Sequence, residues 1–168
     1  MRHDFLGISC FLLAALGIAG AMTSPAQAQF GGSGGPGKYR VYIGTYTGKS
    51  PLGNESKGIY ASELDGATGK LSEPVLVGEA TNPSFLALHP RGKYLYAVGE
   101  VTDADGKKVG GVSAFEITDS KTGKLKLLNH RSSGGSGPCH LVLDTASDLV
   151  LAANYGGGSV CAIAINVD

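Results

Sequence analysis

The sequence predicts an all-β protein, a β-propeller built from four-stranded antiparallel blades, and three observations carry that expectation. A unit of about 54 residues recurs along the chain. Glycine fills 27 of 168 positions, roughly twice the usual share, which suits a turn-rich β chain. Beyond residue 28, no window sustains apolar residues at i, i+3, i+4 and i+7, the spacing of an amphipathic helix.

The repeat is the strongest of the three. Asn82-Pro83-Ser84-Phe85-Leu86-Ala87-Leu88 lies over Gly137-Pro138-Cys139-His140-Leu141-Val142-Leu143 at an offset of 55. Tyr94-Leu95-Tyr96-Ala97-Val98 then falls on Leu149-Val150-Leu151-Ala152-Ala153. Thr68-Gly69-Lys70-Leu71 recurs as Thr122-Gly123-Lys124-Leu125, and Gly58-Ile59-Tyr60-Ala61 as Gly111-Val112-Ser113-Ala114. One unit earlier, Val41-Tyr42-Ile43 matches Leu95-Tyr96-Ala97.

Short apolar and β-branched runs bounded by Gly, Pro, Asn or Asp mark the strands. A first blade over residues 40–78 takes Arg40–Tyr46, Gly58–Leu64 and Pro74–Gly78. A second over 84–131 takes Ser84–His89, Tyr94–Glu100, Gly111–Thr118 and Leu125–Arg131. A partial third over 139–166 takes Cys139–Asp144, Leu149–Asn154 and Ser159–Asn166. Runs such as Phe85-Leu86-Ala87-Leu88 are apolar on both faces, as a blade covered by neighbours on both sides requires. A sandwich is the alternative, but its strands should alternate apolar and polar residues. Two and a half blades do not close a ring of four to eight, so the chain reads as the N-terminal part of a longer protein.

The first 28 residues read as a secretory signal: Arg2 near the start, an apolar run from Phe5 to Met22, then Ala26-Gln27-Ala28. A membrane anchor is the alternative for that run; Gly7, Gly17 and Gly20 weaken it, and Cys10 lies too early for a lipoprotein. Residues 29–38 form a Gly-rich linker, and 39–168 the partial propeller. The expected location is therefore periplasmic or extracellular, with no membrane attachment after cleavage.

Lys plus Arg and Asp plus Glu both number 14, leaving no basic stripe for nucleic acid. Cys139 and Cys161 fall on strands separated by a third, too far apart for a disulfide, so both are expected as free, buried thiols. No CxxC or HxxxH pattern calls for a metal, and no cofactor is implied. Thr47-Gly48-Lys49-Ser50 is not a P-loop, because Ile43 stands where its first glycine belongs and Pro51 follows. Asn54-Glu55-Ser56 is a glycosylation sequon, a common pattern.

In a propeller, the loops leading into innermost strands share a face with those joining second and third strands. Here those are 44–57, 81–83, 101–110, 132–138 and 155–158. His140, at an innermost strand start, is the candidate catalytic base; a structural histidine is the plainer alternative. Glu100 ends a second strand and faces the channel mouth or simply closes the strand in water. Asn154 and Tyr155 lead a Gly-rich hairpin that offers a pocket wall. His89 and His130 are expected to be solvated.

Several segments resemble the lactonase family of propellers, the family of 6-phosphogluconolactonase, with fungal carboxymuconate cyclases as relatives. They are Val41-Tyr42-Ile43-Gly44-Thr45-Tyr46-Thr47 with Lys57-Gly58-Ile59-Tyr60, Asn82 through Pro90 with Gly92 through Val98, and Gly137-Pro138-Cys139-His140 with Ala153 through Val160. The resemblance spans 38–168 and implies a seven-bladed propeller that hydrolyses a sugar lactone. His140 would contact the lactone or the attacking water, with Asn154, Tyr155 and Glu100 at the substrate. Export sits awkwardly with a phosphorylated, cytoplasmic substrate. It leaves open a different lactone, or a non-enzymatic propeller that binds a ligand or protein.

Overall fold

A computed structural model describes residues 37–47, 55–102 and 108–166. The expected signal segment, nearly all of the linker, Asn54 of the sequon and Gly48-Lys49-Ser50 lie outside these residues.

The chain forms an all-β propeller segment of three antiparallel sheets, with no helix among the described residues. The first sheet has the order β1(Lys38–Gly44), β2(Gly58–Asp65) and β3(Val75–Glu79). The second is a complete four-stranded sheet: β4(Leu86–Leu88), β5(Tyr94–Thr102), β6(Lys108–Asp119) and β7(Lys124–Ser132). The third contains β8(Pro138–Leu143), β9(Leu149–Asn154) and β10(Ser159–Ala164), paired in that order.

Why the inner strands are apolar on both faces is plain in β5. Successive side chains of a strand point to opposite sides. Leu95 and Ala97 meet Ile59, Phe115 and Leu125 in one core, which includes the first sheet. Tyr96 and Val98 join Val112, Leu141, Val150 and Ala152 in another, shared with the third sheet. Ile59, Leu95 and Val98 have no exposed surface, and each such burial stabilises the fold by about 1.5–3 kcal/mol. The middle sheet is thus covered on both sides, as a blade is and a two-layer sandwich strand is not.

Repeat-equivalent positions share backbone conformations. Gly69 and Gly123, 54 residues apart, have φ of 69° and 78°. Asn82 and Gly137, 55 apart, have φ of 45° and 62°, although Asn82 carries a side chain. At the end of β1, a Cβ on Gly44 would collide with the Pro83 carbonyl, so glycine lets the first sheet approach the segment leading into β4.

Several expectations need correction. The loop taken as 101–110 is shorter, because β5 runs to Thr102 and β6 begins at Lys108. Ser84 and Phe85 precede β4 rather than belonging to it, and His89 follows it. His89 is 3% exposed, not solvated: its Nδ1 accepts the Arg91 N–H at 3.1 Å, and Tyr94 covers the ring edge-on. His130 is exposed and lies 3.0 Å from the Ser113 hydroxyl. Cys139 and Cys161 are free and separated by β9, but Cys139 is exposed and Cys161 half-buried.

Candidate functional site

The segments leading out of β1 and into β4 and β8 converge with the end of β5 along one rim. Glu100 stands in the middle of it. Its Oε1 accepts hydrogen bonds from the Tyr46 hydroxyl and the Ser84 hydroxyl, each at 3.0 Å. The carboxylate of the second blade is therefore tied both to the first blade and to the segment leading into its own innermost strand.

Asn82 braces this arrangement. Its Oδ1 accepts the Thr47 N–H at 2.8 Å and the Thr47 hydroxyl at 3.1 Å. Its Nδ2 donates to the Glu100 carbonyl at 2.9 Å. One side chain thus fixes the residue after Tyr46 and the backbone of Glu100 together.

Ser84 is followed by Phe85, whose ring lies 4.4 Å from that of His140, centroid to centroid, at 52°. His140, in β8, is exposed. Tyr46, Glu100, Ser84, Phe85 and His140 thus form a connected row across three blades. The hydrogen bond to Glu100 raises the Tyr46 pKa first of all, with burial second. Tyr46 is therefore held as a neutral donor across the physiological range. The Cys139 thiol contributes in the same direction, as the weakest cause.

Asn154 departs from its expected place on the pocket wall. It is 2% exposed and its Nδ2 donates to the Ser133 carbonyl at 3.0 Å and the Ser159 hydroxyl at 3.2 Å. Its Oδ1 has no partner among the described residues. The amide is spent on bracing the loop before β8, because β9 turns that side chain inward. Tyr155 is 87% exposed; its backbone N–H donates to the Gly137 carbonyl at 2.8 Å, and its ring stands out from the hairpin.

Sequence reasoning missed Tyr46, Asn82, Ser84 and Phe85. The repeat could have found the first: Tyr46, Glu100 and Tyr155 occupy one position in successive units. Ser84 with Cys139, and Phe85 with His140, are likewise equivalent. Two cavities of about 310 and 500 Å³ lie between sheets, and neither is lined by a residue of the row. Among the described residues, no group of three or more His, Cys, Asp or Glu side chains gathers to hold a metal ion.

Residues 40–168 match the model of the family described as "Lactonase, 7-bladed beta-propeller". The chain belongs to the lactonase family. Among lactonase-family relatives, it is 39% identical over 131 residues to a 6-phosphogluconolactonase of Bacillus subtilis, covering 78% of this chain and 34% of that protein. A 6-phosphogluconolactonase of Formosa agariphila is 34% identical, over 68% of this chain and 30% of its own. In structure, the chain is similar to the periplasmic gluconolactonase of Pseudomonas aeruginosa: TM-score 0.66, 28% identity, 77% of this chain and 35% of that one. The chain spans about a third of the length of the curated relatives it matches.

Proposed function

We propose that the protein is an exported sugar-lactone hydrolase of the 6-phosphogluconolactonase kind, in which water attacks the lactone carbonyl. The observation that carries this reading is the family match over 40–168, which covers every member of the rim row. Opening a lactone needs a base to activate water and donors to stabilise the oxyanion. His140 supplies an exposed imidazole at the start of an innermost strand, backed by Phe85. It serves as the base toward the attacking water or as a donor to the lactone. Glu100 contacts substrate from the neighbouring blade, and Tyr155 offers a phenol at the hairpin tip. Asn154 acts one step removed, by holding the loop before β8.

Export is proposed from Arg2, the apolar run and Ala26-Gln27-Ala28. The name of the Pseudomonas aeruginosa neighbour, a periplasmic gluconolactonase, is compatible with it. Both parts are tested on the protein produced from its complete gene. The secreted form should begin at Gln29. Hydrolysis of glucono-1,5-lactone and its 6-phosphate, followed by acid release, should fall about 10²- to 10⁴-fold in His140→Ala. Wild-type rates in that variant would remove His140 from catalysis. Failure of the unaltered protein to open either lactone, with retained sugar binding, would favour a binding propeller instead.

A further inference from the structure

We infer that Glu100 is a hydroxyl-binding residue, and that this rim receives the polyhydroxy side of the sugar ring rather than a phosphate. The inference rests on the sugar-lactone reading and names which part of the substrate this sector holds.

Tyr46 and Ser84 both donate to Oε1 of Glu100. They fix the plane of the carboxylate and leave Oε2 with no hydrogen bond to a described residue. An anionic oxygen held in this way accepts from a hydroxyl more strongly than a neutral acceptor does. Tyr46 remains protonated, so it keeps donating and does not compete for the same proton. The carboxylate is half-buried at the rim, within reach of solvent and ligand.

The neighbouring groups suit the same ligand. Phe85, partly buried against the core, backs the exposed ring of His140, and the tilted pair leaves that ring as a surface for the C–H face of a sugar ring. Phosphate recognition usually draws on Arg, Lys or a helix N-terminus. The charge fixed at the centre of this row, on Glu100, is negative. A phosphate dianion placed here would face the Glu100 carboxylate at close range, an opposition of like charges.

The test compares the unaltered protein with Glu100→Gln and Tyr46→Phe, all from the complete gene and checked for folding by circular dichroism. Substrates are glucono-1,5-lactone, its 2-, 3- and 4-deoxy analogues and its 6-phosphate. At least one deoxy analogue should be about 10- to 100-fold poorer than the parent in kcat/KM. That gap should narrow at least about threefold in Glu100→Gln, the size expected when a charged acceptor becomes neutral. The ratio of phosphorylated to free lactone should stay the same. Tyr46→Phe keeps the charge and loosens its orientation, so it should narrow the same gap by less. It also serves if Glu100→Gln does not fold.

An unchanged deoxy gap in the folded variants would overturn the inference. So would a change of more than about threefold in the phosphate ratio, which would put Glu100 beside the phosphate. If no lactone is opened by the unaltered protein, the hydrolase reading fails by itself. Saturation-transfer NMR with glucitol then decides the inference: binding by the unaltered protein that weakens in Glu100→Gln supports it, and equal or absent binding sinks it.

Discussion

Asn82 illustrates how much a single rim residue can be asked to hold. It accepts a left-handed φ of 45°, which costs a non-glycine residue on the order of 1 kcal/mol, and returns three side-chain hydrogen bonds, two across the blade boundary to Thr47 and one to Glu100 in its own blade. Asn82→Gly removes the strain and the bonds together. Since each bond is worth about 0.5–1.5 kcal/mol net, urea unfolding should show a loss of roughly 1–3 kcal/mol. A neutral or stabilised variant would mean that the bonds merely accompany the conformation. His140 and Glu100 were singled out from the sequence as residues near strand ends, and the structure places them in β8 and β5, with Glu100 two residues before the end of its strand. Tyr46 was not, because its partner lies 54 positions away and local pattern says nothing of which hydroxyl meets which carboxylate. Asn154 was misread for a related reason: strand register, not composition, decided that its amide turns toward Ser133.

At the level of strands and turns, the Asp65 and Asp119 hairpins, 54 residues apart, repeat their chemistry with their sequence, and Asp144 braces a turn of a different kind in the third sheet. Asp65 accepts the N–H groups of Ala67 and Thr68, Asp119 that of Lys121 and the Thr122 hydroxyl, and Asp144 those of Asp148 and Leu149. In each, hydrogen bonding holds the carboxyl below its usual value: backbone N–H groups lead at Asp65 and Asp144, the Thr122 hydroxyl at Asp119. Because the folded pKa is depressed, these turns contribute stability above the unfolded value of about 3.9, and the contribution fades as pH falls through the folded pKa. Thermal unfolding should therefore give a Tm that declines below about pH 4. The triple variant Asp65→Asn, Asp119→Asn, Asp144→Asn should flatten that decline, and an unaltered slope would count against this assignment. The repeated Thr68-Gly69-Lys70 and Thr122-Gly123-Lys124 made the first two turns legible, whereas nothing comparable follows Asp144. Strand ends were less so: β4 is only Leu86–Leu88, although the flanking Phe85 carbonyl and His89 N–H still bond Val98 and Tyr94 of β5.

For the molecule as a whole, the repeat and the two-sided apolar strands were enough to reach the propeller, because both reflect how blades cover one another. They could not give the depth of cover on each sheet. The outer face of β8–β10 leaves Val142, Leu151 and Val160 exposed at 42%, 38% and 82%. Apolar surface of this kind binds other apolar surface. The 168-residue chain should accordingly bind the dye ANS, and Leu151→Lys with Val160→Lys should lower that fluorescence severalfold while changing stability by only about 0.5 kcal/mol per site. Fluorescence unchanged by the double variant would place the dye elsewhere.

The contact between Tyr46 and Glu100 also bears on how such proteins can be recombined. Each partner belongs to a different repeat, so transplanting one repeat from a relative would sever the pair at the seam. Chimeras exchanged as adjacent couples, with the boundary kept away from this junction, should retain the ligand preference of the donor where single-unit swaps lose it.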